Sequence, residues 1–190
     1  MKGTALLVID AQQLITNEKL YAFDRFRSNV CTLIDEARKQ CTEVIYVRHN
    51  DGEGKPLSKG KEGFEIYSGF IPQFGEKVFD KTVNSPFLKS GLLEYLRSKA
   101  VKRLIITGLQ TDYCIDAAVK CGFEHGFEII IPEYCNSTFD NKYMTAEQTY
   151  HYYNDFIWKN RYGRCVDIRT AVELINVVER DKTVNINLRK

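Results

Sequence analysis

The chain has 190 residues, 44% hydrophobic and 27% charged, with 27 basic against 25 acidic side chains and a formal charge of +2. That is the profile of one compact domain able to bury a core without metal or disulfide, and its near-balanced charge leaves no excess to hold a phosphate backbone or an anionic membrane. Nucleic acid and membrane are therefore excluded as partners: the longest apolar runs, 5–9 and 129–131, fall far short of the about 20 residues that cross a bilayer.

In chain order, Ala-Leu-Leu-Val-Ile at 5–9 is a continuous apolar run that stops at Asp10, the mark of a strand buried on both faces of a parallel sheet. It is too short for a signal-peptide core and no small-residue cleavage site follows it, so the expected address is cytoplasmic. From Phe26, apolar residues at 26, 30, 33, 34 and 37 trace one face of a helix. Residues 44–47 predict a second buried strand, followed by a polar, glycine-bearing loop over 50–63. A short strand over 77–79 leads to Asp80-Lys81, and a helix covers 92–100. Residues 103–107 predict a fourth strand, 108–112 a tight turn, and Tyr113 opens a helix with apolar positions 115, 118, 119 and 122. A fifth strand spans 127–131; Thr145-Ala-Glu-Gln148 has the form of a capping box and starts a helix through about Trp158. A last strand over 165–168 and a last helix over 171–178 complete a domain of residues 1–180, and 181–190 form a loosely held charged tail.

Strands alternating with helices predict an α/β fold: a three-layer α/β/α sandwich around a mainly parallel, doubly wound, Rossmann-like sheet of about six strands. Ligands of such sheets bind beyond the carboxyl ends of the strands. Asp10, the segment from His49 to Glu53, Lys81 and the turn from Gln110 to Cys114 all follow predicted strand ends.

The six cysteines, at 31, 41, 114, 121, 135 and 165, contain no Cys-x-x-Cys pair, which removes the usual zinc and thioredoxin-like motifs. Five read as small buried hydrophobes. Cys114 differs, because it falls in the first turn of a helix, where unpaired N–H groups and the helix dipole lower a thiol pKa. Asp10 alone reads equally well as a capping carboxylate, and Lys81 alone as a solvated lysine. Together on one rim they are more informative: the carboxylate can take the thiol proton while the ammonium holds the pair in its charged form.

Four stretches carry a resemblance to the isochorismatase-like cysteine hydrolases: Ala5-Leu-Leu-Val-Ile-Asp-Ala-Gln12, Val47-Arg-His-Asn-Asp-Gly-Glu-Gly54, Val78-Phe-Asp-Lys-Thr-Val-Asn-Ser-Pro-Phe87 and Ile106-Thr-Gly-Leu-Gln-Thr-Asp-Tyr-Cys-Ile115. The resemblance runs in order over about residues 4–170, and Gly-Leu-Gln-Thr-Asp-Tyr-Cys is its most specific part. It implies a catalytic triad of Asp10, Lys81 and Cys114, a cis peptide between Leu109 and Gln110, and an oxyanion hole from the amides of Gln110 and Cys114. The implied reaction cleaves a C–N bond of a small molecule, in an amide, carbamoyl or ureido group, through a thioester on Cys114. Two alternatives stand beside it: a vinyl-ether hydrolase, whose chemistry does not need the cysteine, and a non-catalytic binding protein or thiol redox sensor.

Nicotinamidases of this family hold a metal through Asp-x-His and further histidines. This chain has only His49, His125 and His151, so neither a metal nor another cofactor is expected, with His49, Asp51 and Glu53 as the alternative ligand set. The candidate substrate-binding residues are His49, Glu53, Phe64, Asn84, Phe87 and Tyr113, against the competing reading of ordinary loop packing. The aromatic-rich segment Tyr150, Tyr152, Tyr153, Phe156, Ile157 and Trp158 carries more apolar surface than one helix face buries, which predicts a homo-oligomer, dimer or tetramer.

Overall fold

A computed structural model of the chain describes residues 3–176; positions 177–178 of the last predicted helix and the 181–190 tail lie outside them. The first strand, β1 (Thr4–Ile9), is buried along its whole length. Its side chains divide between two layers with the two-residue period of a strand. Ala5, Leu7 and Ile9 share one core with Leu92, Leu96, Ile115, Val119 and Trp158. Leu6 and Val8 share the other with Phe26, Val30, Leu33, Ile34 and Ala171. A continuous apolar run is what a strand covered on both faces requires.

The remaining elements follow in alternation: α1 (Phe23–Lys39), β2 (Glu43–His49), β3 (Lys77–Lys81), α2 (Leu92–Ser98), β4 (Arg103–Leu109), α3 (Asp116–Glu124), β5 (Glu128–Pro132), β6 (Asn136–Ser137), α4 (Ala146–His151), β7 (Arg164–Val166) and α5 (Ile168–Asn176). The sheet has the order β3-β2-β1-β4-β5-β7, with β6 added on the end of β4, and its strand pairs are parallel. It is a doubly wound sheet whose winding reverses between β1 and β4, the place where such folds open a ligand crevice.

Several boundaries differ from the periodicity. His49 and Lys81 are the last residues of β2 and β3, not the first residues of loops, and they pair in register. Two wide helical turns, Thr111–Ile115 before α3 and Tyr152–Trp158 after α4, carry residues assigned to regular helix. One strand more than the six predicted is present: β6 is two polar residues without an apolar run, and it pairs with Gly108 and Leu109. The capping box is present: Thr145 Oγ1 accepts from the Gln148 amide, and Gln148 reaches back to the Thr145 amide. Within the aromatic segment Tyr150 and Trp158 are buried, whereas Tyr152 and Phe156 are exposed, their rings 5.5 Å apart. No helix of the described residues is long and apolar enough to cross a membrane.

Close approach of β1 and β4 at the crevice depends on one glycine. Gly108 has φ +122°, and a Cβ there would lie 1.9 Å from the Ile9 carbonyl oxygen. Gly108→Ala is expected to cost about 3 kcal/mol or more, from the backbone conformation and the backbone collision together. The measurement is the denaturant midpoint; an unshifted midpoint would show that the two strands do not meet this tightly.

Candidate active site

The aligned ends of β1, β2, β3 and β4 bring four chemically distinct side chains together. Lys81 Nζ lies 2.7 Å from Asp10 Oδ2, 3.1 Å from Cys114 Sγ and 3.0 Å from His49 Nδ1. An ammonium has three N–H donors and no acceptor; here each donor has one partner. His49 Nδ1 therefore presents its lone pair to Lys81, which leaves the hydrogen on Nε2, 3.2 Å from Asp51 Oδ1. The Lys81 side chain is fully buried and that of Asp10 nearly so. Ligand-type atoms of Asp10, His49 and Cys114 lie within 4.8 Å of one another, and the Lys81 ammonium contacts all three side chains.

Electrostatics here depart from the sequence expectation. Cys114 does fall in the first, wide turn leading into α3, with the Ile115 amide reaching back to the Gln110 carbonyl at 3.1 Å. Yet burial, followed by the neighbouring Asp10, pushes its thiol up to about 12, against the lowering effect of Lys81. Desolvation and a nearby carboxylate outweigh the helix terminus. Burial likewise raises Asp10, against the pull of Lys81, Cys114 and His49. Burial and the Lys81 charge lower His49 and keep its ring neutral. One proton is thus held between Asp10 and Cys114, beside a fixed positive charge. Asp10 Oδ1 is buried with no hydrogen-bond partner among the described residues, an open acceptor of the kind that proton transfer requires.

A pocket of about 250 Å³ opens onto the sulfur, lined by Asp10, Ile15, His49, Asp51, Leu57, Asn84, Gln110, Tyr113 and Cys114. It contains three of the six ligand-contact candidates, His49, Asn84 and Tyr113, and both residues suggested as oxyanion donors. Asn84 Oδ1 stands 3.8 Å from Cys114 Sγ, and Tyr113 is half exposed at the mouth. Glu53, Phe64 and Phe87 are not in the lining. Glu53 is exposed on its loop. Phe64 is fully buried under the Arg48 guanidinium, 4.3 Å from the ring centroid, and Phe87 packs in the core on Phe127 and His125. Both aromatic rings support the loops from behind. The Leu109–Gln110 peptide is cis.

Two polar clusters that the sequence did not single out hold the rim in place. Gln12, fully buried two residues beyond Asp10, donates to the carbonyls of His49 and Phe64 at 3.0 and 2.9 Å and accepts from the His49 amide at 2.8 Å. It fastens the ends of β1 and β2 and the 62–64 turn together. Beneath the Cys114 turn, Thr111 Oγ1 donates to Asn136 Oδ1 at 2.8 Å, Asn136 Nδ2 donates to Asn154 Oδ1 at 3.0 Å, and Thr138 donates to Asp112 at 2.6 Å. Ile15, Leu57 and Asp51, the last named in the sequence only as part of an alternative metal-ligand set, complete the lining.

Comparison with known proteins agrees with this fold. Residues 4–154 match the family model of the isochorismatase domain. The isochorismatase family protein YrdC of Bacillus subtilis is 28% identical over 127 residues, covering 65% of this chain and 68% of that protein. A secreted isochorismatase effector of Verticillium dahliae, Isc1, is 26% identical over 135 residues, covering 70% and 71%. Among solved structures, that of an isochorismatase family protein superposes with a TM-score of 0.81 at 27% identity, covering 87% of this chain and 99% of the other.

Proposed function

From the premise that the chain belongs to the isochorismatase family and has its hydrolase fold, we propose that it is a cysteine hydrolase cleaving a C–N bond of a small amide, carbamoyl or ureido compound. The observation that carries this reading is one buried ammonium contacting both Asp10 and a Cys114 sulfur that lines a pocket. A vinyl-ether hydrolase does not need that sulfur.

In the proposed reaction the substrate carbonyl enters beside Cys114. Its Sγ–H proton passes to Asp10 as sulfur bonds to the carbonyl carbon, so no free thiolate need exist beforehand. This suits a thiol raised to about 12. Lys81 stays in contact with both groups and keeps the local charge constant while the proton moves. The tetrahedral oxyanion is held by the backbone amides of Gln110 and Cys114, a role in which one lost donor costs about 3–4 kcal/mol in comparable sites. Asp10 returns the proton to the nitrogen, the C–N bond breaks, and an acyl group remains on sulfur. Asp10 then takes a proton from water, the hydroxyl adds to the thioester carbon, and the carboxylic acid leaves as the thiol is restored. His49 keeps Lys81 oriented, and Asn84 and Tyr113 contact the substrate.

The test is ammonia release from small primary amides and carbamoyl compounds, followed against pH. Activity is expected to rise with pH along a limb lying above 3.8, the ordinary aspartate value, because Asp10 must be deprotonated to accept the thiol proton and burial raises it. No falling limb from the thiol is expected until its own ionisation is approached at about 12. A limb at or below the ordinary carboxylate range would contradict Asp10 as the base.

A further inference from the structure

The fixed charges around the pocket make a statement about the substrate, one that rests on the amide-hydrolase reading above. Asp10 and Lys81 cancel while the shared proton is on sulfur; Cys114 and Lys81 cancel once it has moved to Asp10. Either way one charge is left over, the Asp51 carboxylate. Its one near partner among the described residues is His49, 3.2 Å away, and that ring is neutral because Nδ1 accepts from Lys81. A neutral imidazole satisfies one oxygen of Asp51 without neutralising it. Among the described residues the only ammonium touching the site is fully engaged by Asp10, His49 and Cys114. Lys55, Lys59 and Lys61 of the adjoining loop are exposed and outside the lining, with Lys59 directed at Asp80, 3.8 Å away.

A pocket of about 250 Å³ leaves the rest of a bound amide little room to avoid that carboxylate. We propose that Asp51 is the specificity-determining residue, and that the pocket takes amides whose remaining portion is uncharged or cationic and rejects those bearing a carboxylate. One imidazole separates Asp51 from the Lys81 ammonium, so at the dielectric of a partly open site the discrimination is about tenfold.

The experiment has one arm that needs no turnover and one that does. In the first, native protein is alkylated with iodoacetamide or iodoacetate, and peptide mass spectrometry follows Cys114 against the exposed Cys41 as internal reference. The preference for the neutral reagent is expected to be about tenfold greater at Cys114 than at Cys41. It should shrink at least about threefold in Asp51→Asn, where an amide oxygen still accepts the His49 N–H. Equal preference at the two cysteines, or a preference unmoved by Asp51→Asn, would overturn the proposal. In the second arm, 3-aminopropanamide, butanamide and succinamate are compared as substrates of similar size. Succinamate is expected to be the poorest and to gain most from Asp51→Asn. Succinamate hydrolysed as fast as butanamide would refute charge selection while upholding the amide reaction. Selective alkylation without hydrolysis of any of the three would uphold charge selection and count against the amide reaction.

Discussion

Cys114→Ala is expected to lower ammonia release by at least about 10³-fold, with the folded state preserved. The proposed reaction forms its only covalent bond to substrate at this sulfur, so no remaining side chain supplies an equivalent route. The fold should tolerate the change, since alanine removes one small group at the pocket wall and Lys81 keeps Asp10 and His49 as acceptors. The check is turnover at matched folded concentration, beside a thermal melt. Undiminished turnover would remove Cys114 as nucleophile and favour the vinyl-ether type of chemistry.

The largest stability effect is expected at Lys81. Its side chain is fully buried against an Asp10 side chain only 2% exposed, and Asp10 Oδ1 already lacks a partner. Lys81→Met leaves a buried carboxylate without its counter-ion, which costs about 3–5 kcal/mol and drives the carboxyl toward its protonated form. Removing the second charge as well, in Asp10→Asn with Lys81→Met, should recover a large part of that loss without restoring activity. Denaturant unfolding of the two single variants and the double variant measures the coupling directly. Strictly additive losses would show that the two side chains do not form the pair described.

Much of the fold was legible because buried parallel strands write themselves as uninterrupted apolar runs: residues 5–9 and 103–107 lie wholly within β1 and β4. The rim followed from topology, since strands ending together bring Asp10, Lys81 and Cys114 together from distant parts of the chain. What escaped had non-local causes. β6 is two polar residues fixed by β4 and by the Asn136 hydrogen bonds, and nothing in its own sequence marks it as a strand. Phe64 and Phe87 looked like pocket walls because loop aromatics near a rim commonly are, but the loops need buried anchors of their own, and these two rings serve as such. Glu53 and Asp51 are both acidic and two residues apart; only the folded loop decides that Asp51 lines the pocket and Glu53 does not. The thiol was misjudged for the same reason: a helix terminus is visible locally, whereas the depth of burial and the carboxylate beside it belong to the tertiary structure.

The most direct test of the central claim is to quench wild-type protein with acid during turnover of a reactive small amide and to weigh the Cys114 peptide. An added acyl group on that peptide, discharged by neutral hydroxylamine and absent from Cys114→Ala, is the predicted result. Product formed through many turnovers with Cys114 never acylated, under conditions where the quench stops the reaction within one turnover, would contradict the account.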